Sequence, residues 1–242
     1  MPETVAFEPT RMFVGVDLGQ LNDYTGIVAV RRVDRVEFLD EWDDQRRFEQ
    51  AVARGALAFR PRRGEVKSRE LARLEVGHIE RVPLGTTYVE IVALVRRLIE
   101  RPELRIRWQR PVLVLDRTGV GQPVFDLFRA HGLDPLGISI TGGDLPHAQG
   151  ELGVTVPKRD LIHALLVALQ TDRLRIAEGL PFADVLVEEM NAFRQNFSPS
   201  GHDTYNAAAG AHDDLILALG CAVWVAVRHQ STHPDEWPTV RT

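Results

Sequence analysis

Asp17, Asp116, Asp213 and Asp214 are far apart in the chain, yet each stands where an apolar element begins or ends. Asp17 closes the run Met12-Phe-Val-Gly-Val-Asp17, and Asp116 closes Val112-Leu-Val-Leu-Asp116. Asp213 and Asp214 open the long apolar stretch from His212 to Trp224. A carboxylate at the end of a buried strand is costly to desolvate unless something pairs with it. Several that converge are costlier, because like charges cannot all ionise together without a cation. A hard divalent ion with oxygen ligands resolves that conflict. These residue types at these positions predict a metal-dependent acidic site.

The individual signals differ in strength. Asp17-Leu-Gly19, followed by Asp23, is a strand end, a glycine turn and a second acid, a pattern found at metal sites and at plain strand exits alike. Asp23 reads equally well as a turn former. The glycines of Asp116-Arg-Thr-Gly-Val-Gly121 suggest close backbone approach, but no Gly-Lys-Ser/Thr follows to make a phosphate loop. His212-Asp213-Asp214 is the most specific piece. One aspartate in a first helical turn is explained by capping and the helix dipole. Two in a row, heading a helix apolar enough to be buried, exceed that explanation. Lys158 begins a helix, where a cation opposes the dipole, and this favours phosphate contact over a plain solvent-facing lysine. The histidines show no metal-ligand spacing.

These residues need rigid elements to hold them. Met12 to Asp17, Thr25 to Val33 and Arg35 to Trp42 read as three consecutive strands, with turns at Asn22-Asp23 and at Asp34. Residues 42–75 have no clean period and are expected to form a basic insertion or mobile segment. Val76 to Val82 resumes a strand, and Thr87 to Ile99 carries a helical stripe. Val112 to Asp116 is a buried strand, Gln122 to His131 a helix, and Leu136 to Thr141 another strand. The glycine-rich stretch Gly142 to Gly153 then leads to a helix opened by Pro157. Leu174 to Ile176 is extended, Phe182 to Phe193 is helical, Phe193 to Tyr205 is a hairpin, and the last helix starts at Asp213. Three meandering strands followed by strand–helix alternation predict an α/β fold, a mixed sheet with helices on its faces.

Bulk properties set the limits. The chain has 242 residues, enough for one large domain with a real core. With 44% hydrophobic and 26% charged residues its composition is that of an ordinary globular protein. The single cysteine, Cys221, excludes disulfides and cysteine metal sites. No signal core opens the chain, and its longest apolar run is too short to span a bilayer, so a soluble, cytoplasmic protein with no membrane partner is expected. The net charge of −5 argues against a polyanionic partner, but charge is unevenly placed. From Arg54 to Arg73 there are seven basic residues, among them Arg60, Arg62, Arg63, Lys67 and Arg69, against two acidic ones. Local asymmetry bears on nucleic-acid contact more than the global sum does.

Phe13-Val-Gly-Val-Asp-Leu-Gly19 with Asp23-Tyr-Thr-Gly-Ile-Val28, the strand ending at Asp116, Val156-Pro-Lys-Arg-Asp-Leu161 and His212-Asp-Asp-Leu-Ile216 together resemble the nuclease domain of bacteriophage terminase large subunits. The resemblance runs in order from about residue 12 to 228. It implies a ribonuclease H-like fold related to the RuvC-type resolvases: three antiparallel strands, then parallel ones, with helices on both faces. It implies a two-metal endonuclease that cuts concatemeric viral DNA at packaging, using two Mg²⁺ ions, with Mn²⁺ able to substitute. By position, Asp17 would bridge the metals, Asp116 would be the second-strand ligand, Asp214 the helix-borne ligand and Asp213 its neighbour, with Asp23 and Lys158 accessory. The partners implied are double-stranded DNA, a packaging ATPase, a small terminase subunit and a portal, in the cytoplasm of a host cell. Nothing in the chain matches the ATPase phosphate-binding loop, so one nuclease domain over residues 1–242 is expected. Two other readings remain: a non-catalytic DNA-binding or packaging module of the same fold, and an actin-like phosphotransferase using Asp17-x-Gly19. The second needs a further phosphate loop, for which Thr141-Gly-Gly-Asp144 is a poor candidate.

Overall fold

The computed structural model describes residues 5–19, 23–38, 65–106, 108–119, 121–142, 145–148, 153–195 and 212–229. Its first three strands form a meander. β1 (Val5–Asp17) pairs antiparallel with β2 (Thr25–Phe38), and β2 pairs antiparallel with β3 (Glu65–Val82). β4 (Val112–Asp116) joins the other edge of β1 in parallel, and β5 (Leu136–Thr141) and β7 (Gly153–Pro157) continue the parallel half. β6 (His147–Ala148) adds an antiparallel edge, and β8 (Leu174–Ile176) lies parallel to β3 at the opposite edge. The strand order is β6-β7-β5-β4-β1-β2-β3-β8.

Two apolar layers cover the sheet because its strands alternate. In β1, Met12, Val14 and Val16 point to one face, where they meet α1 (Tyr88–Glu100) and α2 (Gly121–Ala130). Phe13 points to the other face, toward α3 (Lys158–Gln170), α4 (Ala183–Gln195) and α5 (Asp214–Arg228). β4 divides the same way, with Leu113 and Leu115 on the first face and Val112 and Val114 on the second. A three-strand antiparallel meander continued by parallel strands, with helices on both faces, is the expected ribonuclease H-like α/β fold.

α5 is the central helix of the second face, and every residue from Asp214 to Ala226 is buried. It lies directly on the sheet because Gly15 and Gly26 leave room for its backbone. A Cβ on Gly15 would come within 2.0 Å of the Ala218 carbonyl oxygen, and one on Gly26 within 2.4 Å of that of Asp214. α1 opens on a capping box, in which Thr87 accepts from the Glu90 N–H and Glu90 accepts from the Thr87 N–H.

Three expectations need correction. The strands read separately at 25–33 and 35–42 are one strand as far as Phe38, and Asp34 makes no turn. Asp34 is buried beside a register shift and pairs with Arg32. The basic segment read as irregular over 42–75 is strand from Glu65 onward, so Lys67 and Arg69 fall within β3. That register shift sets Val33 opposite Arg73 and Arg35 opposite Ser68, which breaks the period-two pattern a strand would show in sequence. Arg60, Arg62 and Arg63 lie outside the described residues, as does the hairpin read between Phe193 and Tyr205 beyond Gln195. Finally, Gly153–Pro157, read as the end of a glycine-rich stretch, is the strand β7.

Candidate active site

Strand register builds the site. Asp17 is the direct neighbour of Asp116 on β4 and of Gly26 on β2, and Gly26 is the neighbour of Arg81 on β3. Asp116, Asp17, Gly26 and Arg81 therefore form one row across four strands. Asp17 follows Phe13 and Gly15 at intervals of two, and Asp116 follows Val112 and Val114, so both carboxylates point to the α5 face. The first turn of α5 passes over Gly26, which brings Asp214 above the middle of the row. Asp17, Asp213 and Asp214, with Asp23, Tyr24, Thr118 and His212, line a cleft of about 200 Å³. Asp116 lies behind Asp17 and is buried, as is Asp214.

The turn that starts this cleft is also fixed by small residues. The Gly19 N–H donates to Thr25 Oγ1 at 3.1 Å, and a Cβ on Gly19 would come within 2.2 Å of the Asp23 carbonyl oxygen. Opposite, Asp116 Oδ1 accepts from the Thr118 N–H at 2.8 Å, and Thr118 Oγ1 accepts from the Ile140 N–H at 2.7 Å. Each strand end is thus tied to its own loop, which holds the carboxylates in place.

Charge in the cleft is unbalanced. Its depth in the protein, and then the charges of Asp116, Asp213 and Asp214, push Asp17 well above the usual carboxylate range. Asp116 is raised too, by burial, although hydrogen bonds from Thr118 oppose the shift. The two share a hydrogen bond, with Asp17 as the protonated member and Asp116 the acceptor. A proton here does what a cation would do: it lets two carboxylates lie side by side.

Two cations hold the helix-borne aspartates. Arg81 meets Asp214 through two hydrogen bonds, Nε to Oδ2 at 2.9 Å and Nη2 to Oδ1 at 2.8 Å. Burial works against the Arg81 charge, but Asp214, Glu189 and Tyr24 outweigh it and leave the guanidinium more basic than usual. Its Cζ lies 4.1 Å from the centre of the Tyr24 ring, which in turn meets His212 edge-on at 5.1 Å. Lys158 Nζ donates to Asp213 Oδ2 at 2.8 Å. The lysine expected to face phosphate or solvent thus holds an aspartate.

Asp213 occupies the N-cap position of α5, but its side chain caps nothing. The N–H of Ile216 is instead served from another helix, by Glu189 Oε2 of α4 at 2.9 Å. Glu189 is buried, and that burial, with Asp214 nearby, pushes its carboxyl up to about 7 against the pull of the Ile216 N–H and Arg81. Neither Arg81 nor Glu189 is apparent from motif reading. A signal for Glu189 exists: it follows buried Leu186 by three residues and precedes Met190, which packs on the same core, so an acid interrupts an apolar stripe.

The structure therefore brings together Asp17, Asp116, Asp213, Asp214 and Lys158, with Asp23 on the rim. The donor set is all oxygen, in excess over the nearby cations, and suits a hard ion such as Mg²⁺ in kind. It fits in place except at one contact. Among the described residues no three His, Cys, Asp or Glu side chains stand ready as a ligand set, and both oxygens of Asp214 are taken by Arg81. Also among the described residues, no helix is long and apolar enough to cross a membrane.

No protein-family model matches the chain, and no curated protein matches it in sequence. In structure it is similar to the large terminase nuclease from thermophilic phage G20c, at 17% identity and a TM-score of 0.49, over 89% of this chain and 84% of that one. The fold assignment stands on the strand order and directions given above.

Proposed function

We propose that this protein is a divalent-metal-dependent DNA endonuclease, working by phosphodiester hydrolysis on double-stranded DNA. The observation that carries the reading is the convergence of Asp17, Asp116 and Asp214 from two strand ends and a helix start, with more carboxylates than cations. Rigid elements suit this task, since small positioning errors at a reacting centre are expensive. Two Mg²⁺ ions, or Mn²⁺ in their place, would supply an activated water and neutralise the leaving 3′-oxygen. Asp17, central in the row, would be shared between them, Asp116 and Asp214 would flank it, and Asp213 would lie beside them. Lys158 orients Asp213, and Tyr24 and His212 wall the cleft on the side of the β1–β2 turn.

The order of motifs along the chain supports a place in viral DNA packaging: the cutting of concatemers beside a packaging ATPase, a small terminase subunit and a portal. The test is plasmid cleavage with Mg²⁺, Mn²⁺ or chelator. Cleavage is expected with either ion, none with chelator, and none from Asp17→Asn. An Asp17→Asn protein that cuts as fast as the parent in Mn²⁺ removes the site assignment. A parent chain that binds DNA and never cuts it leaves the DNA-binding module, which the neutralised Asp213 and Asp214 would suit.

The same reading gives Arg60, Arg62, Arg63, Lys67 and Arg69 the task of gripping the DNA backbone. Removing one phosphate-binding cation flattens the plot of log affinity against log salt by about 0.9. Arg60, Arg62 and Arg63 changed together to alanine should reduce that slope by up to about 3. An unchanged slope would mean that these arginines never meet the DNA.

A further inference from the structure

We propose that Arg81 keeps the cation's place on Asp214, and passes to Glu189 when a divalent ion takes that aspartate. The proposal rests on the metal-site reading above and goes beyond it by naming the residues that exchange. Arg81 occupies both oxygens of Asp214 at 2.8 and 2.9 Å, so no lone pair is left in the guanidinium plane for an ion. A buried carboxylate cannot stand unpaired cheaply, and Arg81 supplies the partner while no ion is bound. Removal of that partner by an ion would strand the guanidinium instead, since only 14% of its side chain is exposed.

Glu189 meets that need. Its Oε1 already lies 3.5 Å from Arg81 Nη2, the same nitrogen that bonds Asp214 Oδ1. Its Oε2 is fixed by the Ile216 N–H, so Glu189 cannot follow the guanidinium, and the guanidinium must come to it. A small shift closes the 3.5 Å approach into a full ion pair as the 2.8 Å hydrogen bond to Asp214 breaks. The Tyr24 ring, 4.1 Å from Cζ, provides a face along which the cation moves without being solvated. Every acid keeps a partner throughout: Asp214 exchanges one cation for another, and Glu189 receives the one released. Arg81 and Glu189 are in this account positioning residues, and neither touches substrate.

The consequence is measurable without catalysis. An ion that must displace Arg81 binds with an affinity lowered by the fraction of molecules in which Asp214 is free. Mn²⁺ alone, titrated calorimetrically into the full chain at about pH 7.5, reads that fraction. Arg81→Gln should bind Mn²⁺ tighter by about tenfold or more, because glutamine competes weakly for the aspartate. Glu189→Gln keeps an acceptor for the Ile216 N–H but cannot receive the guanidinium, and should bind about tenfold weaker. The double variant should match Arg81→Gln, because without Arg81 there is nothing to receive. Arg81→Lys, which keeps the charge and removes the fork, should fall between parent and Arg81→Gln, and it serves if the glutamine variant does not fold.

Affinity unchanged or weakened in Arg81→Gln overturns the proposal. So does an equal loss of affinity from Glu189→Gln in both backgrounds, since that reports only the removal of a nearby negative charge. Failure of the underlying reading looks different: Mn²⁺ then binds parent and Asp17→Asn alike, or binds neither.

Discussion

The two ends of α5 are both buried and both charged, and they solve the problem in opposite ways. At its C-terminal end Arg32 donates from Nη1 to the carbonyls of Ala226 and His229, at 2.7 Å each, and from Nε to Asp34 Oδ1 at 2.7 Å. One cation there serves one carboxylate and two of the carbonyls that every helix end leaves unsatisfied. At its N-terminal end, Asp17, Asp116, Asp213, Asp214 and Glu189 gather around Arg81 and Lys158, five acids to two bases among the described residues. The first arrangement is balanced, and nothing need be added to it. The second balances only with a proton between Asp17 and Asp116.

What separates the ends is therefore not burial but stoichiometry. Buried ion pairs that serve the fold are matched and geometrically complete, since an unpaired buried charge is expensive. An excess of one sign, held on rigid elements and open to a cleft, is a cost the fold sustains for chemistry. The glycines on the sheet show the same commitment at the acid end. Gly26 allows the first turn of α5 close enough to bring Asp214 over the Asp17–Arg81 row, at a cost in the backbone entropy of β2.

The largest effect should come from the balanced end. Arg32→Ala leaves Asp34 buried without its partner and strips two carbonyls of their donor, and should cost about 3–5 kcal/mol in urea unfolding. The paired change Arg32→Met with Asp34→Leu should cost far less, because an apolar pair of similar volume replaces a matched ionic one. In both cases the Mn²⁺ affinity of the protein that remains folded should be unaltered. A destabilisation below about 1 kcal/mol in the single variant would break the comparison, because the Arg32–Asp34 pair would then be no more structural than a surface one.

Much of this is legible in sequence, for a local reason. The ends of β1 and β4 and the start of α5 are marked by an apolar run meeting an acid, and that mark survives in one dimension. Asp34 reads as a turn former because aspartate locally is one, whereas its partner Arg32 and the helix end that Arg32 serves, near Ala226, are brought to it only by the tertiary fold. The strand from Glu65 is hidden by the register shift opposite Asp34, which resets the alternation midway. Arg81 carries no motif of its own, and its importance comes from lying two strands from Asp17 in the same row. Side chains that fix an active site from neighbouring elements are set by register and packing, which a single sequence does not display.

The smallest effect is also the sharpest test of the imbalance: the slope of metal-free stability against pH. Glu189 titrates at about 7 in the fold against 4.5 for a free side chain. Between those values the folded protein holds a proton that the unfolded chain has released, so stability is greater at low pH and is lost as pH rises through about 7. Asp17, raised for the same reasons, contributes with the same sign. At the other end of α5, His229 is pushed down to about 4 from 6.5, by burial first and then by Arg11 and Arg32. Its sign is opposite: stability is lost as pH falls below 6.5, because the unfolded chain takes up a proton that the fold refuses. Below 6.5 the two ends oppose one another, and above it the histidine is silent. Thermal unfolding in chelator should therefore show Tm falling as pH rises from about 6.5 to about 8. Glu189→Gln and Asp17→Asn should each flatten that fall, and His229→Asn should leave it alone while removing the loss below 6.5. A slope unaltered by both acid-end variants would mean that the excess of carboxylates at the start of α5 costs the fold nothing.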